Sequence, residues 1–61
     1  MYVVNMRTTR QYAQGEYVFN NKKDCRKFLE NLNDYEIDSI IEINKLSRGK
    51  CDSAWYEFFE D

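Results

Sequence analysis

Cys25, Phe28, Leu29 and Leu32 stand at i, i+3, i+4 and i+7, so an α-helix gathers all four on one stripe. Lys22, Lys23, Arg26, Lys27 and Glu30 then take the opposite side. Asn21 suits the N-cap, and Asp24 three residues on suits a variant of the capping box. Asn33-Asp34 tolerates the turn that closes the helix. One helix cannot bury its own stripe, so the rest of the chain must supply a surface for it. With 61 residues in all, that surface belongs to a single small domain, 1–61.

The flanking segments alternate as strands do. Tyr2, Val4, Met6, Thr8, Arg10 and Tyr12 share one parity, and the segment 2–12 reads as a half-buried strand. Gln14-Gly15 offers a tight turn into a second strand, Glu16–Asn20. That hairpin sets Tyr12 against Tyr17 and Arg10 against Phe19. Beyond the helix, four isoleucines within seven residues favour a strand over 35–46. Arg48-Gly49 turns the chain into a last strand, Ser53–Glu60. A two-residue turn there places Ile43 opposite Ala54, Ile41 opposite Tyr56 and Ser39 opposite Phe58. The order is ββαββ: an α+β domain, a four-stranded antiparallel sheet with one helix packed on one face.

Such a sheet has a second face. Tyr2, Val4, Met6, Tyr17, Phe19, Ile37, Ile41, Ile43, Tyr56 and Phe58 are expected beneath the helix. Val3, Val18, Ile40, Leu46, Trp55 and Phe59 then point the other way, as an uncovered apolar patch of the kind that marks interaction sites. Trp55 and Phe59 are the natural anchors for a protein partner, with Ile40 beside them and Glu57, Glu60 and Asp61 meeting basic groups at the rim. A second copy of the chain is a further candidate partner.

Charge divides the chain. The formal net charge is −2, but the basic residues crowd into the first half and the acidic ones into the second. Lys22 and Lys23 sit in the first helical turn, against the helix dipole, which calls for a compensating carboxylate or an anionic ligand. The alternative reading is a nucleic-acid-binding accessory protein using Arg7, Arg10, Lys22, Lys23, Arg26 and Lys27 on phosphates. An overall acidic chain argues against it. The acidic half, with carboxylates interleaved among Trp55, Tyr56, Phe58 and Phe59, also suits docking in a basic cleft.

Catalysis finds little support. There is no histidine, so the serines lack a base, and two cysteines do not complete a four-ligand zinc site. Gly15 and Gly49 are isolated and form no phosphate loop, and no cofactor signature is present. The expectation is a non-enzyme. Apolar runs are too short for a membrane span or a signal peptide, which points to a cytoplasmic protein with Cys25 and Cys51 both reduced.

The chain begins at Met1 and draws 24 of its residues from Asn, Lys, Ile, Tyr and Phe. It runs "EYVFNNKKDCRKFLENL" as strand into helix and "IIEINKLSRGKCDSAWYEFFED" as an acidic-aromatic hairpin. In this layout it resembles the small stand-alone proteins encoded by phages and mobile elements of low-GC Gram-positive bacteria. The resemblance implies a protein that binds and inhibits or redirects a host enzyme or defence complex, in the host cell cytoplasm.

Overall fold

The computed structural model of the chain describes residues 1–9 and 13–59. Tyr2–Met6 forms β1 and Gly15–Phe19 forms β2, followed by α1 (Lys22–Glu30) and a one-turn helix, α2 (Asp34–Ile37). Ile40–Ser47 forms β3, Lys50–Ser53 forms β4, and Trp55–Phe58 forms a last one-turn helix, α3. The strands make one antiparallel sheet in the order β2-β1-β3-β4. The expected α+β architecture stands, with two short helices added to it.

The principal helix begins as its sequence dictates. The Asp24 amide donates to the Asn21 side-chain oxygen at 2.9 Å, satisfying one of the free N–H groups of the first turn. Cys25, Leu29 and Leu32 are buried, and Phe28 is half-buried between Tyr17 and Phe19. The helix ends at Glu30 with Asn31 as its C-cap, so Asn33-Asp34 does not close it. Asn33 opens α2 instead. Its side chain accepts from the Glu36 amide at 2.8 Å, and the Glu36 carboxylate accepts the Asn33 amide at 3.0 Å. This reciprocal capping box explains how a carboxylate as buried as that of Glu36 stays satisfied.

The first hairpin is wider than the turn at Gln14-Gly15 implied. Tyr2 lies opposite Phe19, Val4 opposite Tyr17 and Met6 opposite Gly15. The strand stops at Met6, because beyond it the sequence turns to Arg7, Thr8 and Thr9, with nothing apolar to bury. The observed register gives Tyr2 and Val4 aromatic neighbours, where a tight hairpin would have spent Tyr17 and Phe19 on later residues. The pairings expected for Arg10 and Tyr12 fall outside the described residues.

β3 carries the largest correction. Val4 faces Ile43 and Asn5 faces Glu42, but Met6 faces Ile40, so the register slips by one residue between Asn5 and Met6. The slip is a β-bulge, and an extra residue reverses the in–out parity of everything beyond it. Ile40 therefore returns to the side of Ile43 and enters the core, whereas Ile41, expected inside, is 52% exposed. Ile40 is not a surface anchor.

The second hairpin keeps its expected register but not its length. Arg48 and Gly49 both adopt positive φ, at 49° and 79°, as a two-residue turn matched to strand twist requires. Asn44 faces Ser53, Leu46 faces Cys51, and the Ala54 amide donates to the Ile43 carbonyl at 2.8 Å. There the strand ends and α3 begins. Tyr56 and Phe58 therefore never pair with Ile41 and Ser39, and Tyr56, expected inside, is 65% exposed.

Tyr2, Val4, Met6, Ile40, Ile43 and Ala54 form one buried cluster with Cys25, Leu29 and Leu32, and Ile37, Phe58 and Phe59 pack against it. All three helices thus cover the same face of the sheet. Among the described residues, no helix is long and apolar enough to cross a membrane.

The bulge makes neighbouring isoleucines energetically unlike. Ile40→Ala is expected to cost about 2–4 kcal/mol and Ile41→Ala no more than about 0.5 kcal/mol. Urea denaturation of the two variants checks this, and the reverse order, with Ile41→Ala the costlier, would mean a regular strand.

Candidate functional site

The loss of the fourth strand's second half brings the anchors expected on the bare face over to the helical side. Trp55, Phe58 and Phe59 are spaced i, i+3 and i+4, so one helical turn sets their rings along one side. Phe58 meets the ring of Tyr2 edge-on, with centroids 5.5 Å apart. The rings of Trp55 and Phe59 are tilted by 40° against each other, with centroids 4.8 Å apart. Phe59 leans into the core, while Trp55 keeps 37% of its surface exposed.

Between α1 and α3 lies an open groove of about 680 Å³. Leu29, Leu32, Ile37, Phe58 and Phe59 make its apolar lining. Arg26 and Glu30 stand on the α1 wall and Glu57 on the α3 wall. Among the described residues the groove offers apolar burial flanked by one cation and two carboxylates, which suits a side chain or short segment of another protein. Groups of three or more Cys, Asp or Glu placed to hold a metal do not occur among the described residues.

Glu57 is engaged inside the chain. Its Oε1 accepts the Tyr2 hydroxyl at 3.1 Å and lies 3.5 Å from the Lys22 ammonium. Burial, and then this hydrogen bond to a carboxylate, raise the Tyr2 phenol above its ordinary value. The Lys22 ammonium also sits 5.7 Å from the Phe58 ring centre. Lys22 thus finds in Glu57 the compensating carboxylate that its place at the helix N-terminus called for. The pair is partly exposed and contributes at most about 1 kcal/mol. Its main effect is to tie α3 to the start of α1.

The other site residues scatter. Glu60 and Asp61, the remaining rim carboxylates, lie outside the described residues, as does Arg10. Among the basic candidates, Lys23, Arg26 and Lys27 are exposed on α1, and Arg7 is exposed just after β1, its amide bonded to the Ser39 carbonyl at 2.9 Å. The carboxylates of the second half do not line one strand. Glu36 is spent in a helix cap, Glu57 on Lys22, and Glu42 accepts the Asn5 side-chain amide at 3.0 Å. Sequence reasoning missed the groove. The spacing of Trp55, Phe58 and Phe59 was the available signal.

The face away from the helices is less apolar than expected. Val3 is buried there between Val18 and Asn44, and Met1, Val18, Leu46 and Cys51 are at least partly exposed. Asn5, Glu16 and Glu42 continue the same face as a polar row. Trp55, Phe59 and Ile40 are not on it.

Comparison with protein-family models, with curated proteins and with solved structures yields no match.

The two thiols differ sharply. Cys25 is fully buried on α1, and burial pushes its pKa from the ordinary 9.0 up to about 11. Cys51 is exposed on β4. At neutral pH a thiol reagent is expected to modify Cys51 in the native chain and to reach Cys25 only after denaturation. Below the ordinary value Cys25 is protonated whether or not the chain is folded, and it makes no pH-dependent contribution. Above that value the unfolded chain releases the proton first, so stability is expected to fall as pH rises from 9.0 through about 11. Urea midpoints across that range, with Cys25→Ala showing a shallower fall, check the assignment.

Proposed function

We propose that this chain is a non-catalytic protein-binding module that seats part of a partner protein in the groove between α1 and α3. The observation that carries the reading is Trp55. Its ring lies tilted against Phe59, which lines the groove, yet it leaves more than a third of its own surface in water. A partly exposed tryptophan in contact with a second ring beside an apolar groove is the arrangement from which binding hot spots are made. Tyr56, the next residue, adds a second exposed ring. Together with the resemblance of the chain's layout to small phage and mobile-element proteins, this supports a host or viral protein as the partner. The role is then to inhibit or redirect a host enzyme or defence complex in the host cytoplasm.

The nucleic-acid reading retains Lys23, Arg26 and Lys27 on the exposed side of α1, but it loses Lys22 to Glu57. Salt separates the two readings, since binding through phosphates weakens steeply as salt rises.

The test is affinity capture from host lysate, followed by titration of the captured protein. Trp55→Ala is expected to weaken that complex by about 2 kcal/mol or more and to leave the circular dichroism spectrum unchanged. Undiminished affinity in a folded Trp55→Ala variant would overturn the reading. Salt-sensitive DNA binding that disappears in Lys23→Ala and Arg26→Ala would favour the alternative.

A further inference from the structure

β4 is an edge strand whose outer side pairs with no other strand among the described residues. The bond from the Ala54 amide to the Ile43 carbonyl sets the alternation along it. Counting back from Ala54, Asp52 and Lys50 turn their backbone groups toward β3, and Ser53 and Cys51 turn theirs outward. The outward groups offer hydrogen bonds to another strand. Short, charged edges ordinarily resist such pairing. Here the charges alternate in sign, so the outcome depends on register.

We propose that a second copy of this chain pairs antiparallel with β4 about a two-fold axis at Cys51, joining the two sheets into one. Four two-fold registers, one with its axis at each residue of β4, match outward groups with outward groups along this strand. An axis at Ser53 sets Asp52 against Ala54, with no charge pair formed. An axis at Lys50 sets lysine against lysine, and an axis at Asp52 sets aspartate against aspartate. An axis at Cys51 sets each Lys50 opposite the Asp52 of the other copy, twice over. Like charges directly opposite are destabilising and unlike charges favourable, so electrostatics selects the register with its axis at Cys51, the one of the four that pairs unlike charges.

Both faces of the joined sheet are consistent with that choice. On the helical side, Lys45 already lies across from Asp52 within the chain. Pairing places Asp52 between Lys45 and the second copy's Lys50, in a row of alternating sign. Without the second copy, Lys45, Arg48 and Lys50 border one shallow basin with Asp52 as their sole carboxylate among the described residues. On the other side, Met1 and Leu46 exchange backbone hydrogen bonds at 2.8 and 3.3 Å, and Leu46 lies across from Cys51. The exposed row Met1–Leu46–Cys51 thus reaches the edge and meets its own copy there. The strand is short and the interface small, so association depends on concentration.

Sedimentation equilibrium of the full chain is expected to show a monomer–dimer equilibrium. Lys50→Glu leaves two carboxylates on the edge, and Asp52→Lys leaves two ammonium groups. Each change is expected to weaken self-association about tenfold or more. An equimolar mixture of the two variants is expected to recover it, because every carboxylate then faces an ammonium. Both positions are exposed, and circular dichroism verifies that the variants fold. Since Cys25 is buried, a short bismaleimide is expected to trap the wild-type dimer through Cys51. A chain that stays monomeric at every soluble concentration would overturn the proposal. So would a dimer that survives both charge reversals, variants that fail to recover on mixing, or a dimer that the cross-linker does not trap.

Discussion

The structure depends on β1, a central strand that must be paired along both edges and covered on one face. Tyr2, Val4 and Met6 all point to that face and are nearly inaccessible to water. β2 and β3 satisfy the backbone of β1 on either side, and α1 supplies Cys25, Leu29 and Leu32 as the cover. A 61-residue chain has no larger core to fall back on. The bulge in β3, the two short helices and the Tyr2–Glu57–Lys22 node all serve the closure of this one layer.

The bulge shows how local irregularity redistributes exposure. Without it, Ile41 would fill the position beside Ile43 and Ile40 would face water. With it, Ile40 closes the core above Met6 and Ile41 stands outside. The second hairpin makes a similar exchange. Ending β4 at Ser53 turns Trp55–Phe58 into a helical cap, so Phe58 and Phe59 close the end of the core and Trp55 is left at the surface. The aromatic lining of the groove, Phe58 and Phe59, is therefore also the lid of the core, which links the groove to the stability of the domain.

The helix was legible because its stripe, its basic face and its Asn21 cap are encoded within a dozen contiguous residues. The β3–β4 register was legible for the same reason, since a two-residue turn fixes every pair that follows it. Two further signals were present but outweighed. Asn33 and Glu36 have the spacing of a capping box, and Trp55, Phe58 and Phe59 have the spacing of a helical turn. In both places the abundance of β-branched or aromatic residues favoured a strand. Tertiary packing decided otherwise, because β-propensity largely reports what a side chain finds to pack against.

By itself the sequence determined the α+β class, the principal helix and its buried stripe, the Arg48-Gly49 turn, and the imbalance of charge between the two halves. All of these arise between residues close in the chain. Tertiary structure alone decided that Ile40 is inside and Ile41 outside, that Trp55 and Phe59 lie on the helical side, and that Glu57 answers Lys22. Each depends on how β1 is paired and covered by distant segments. A one-residue slip in such pairing costs little locally but reverses the face of every side chain beyond it.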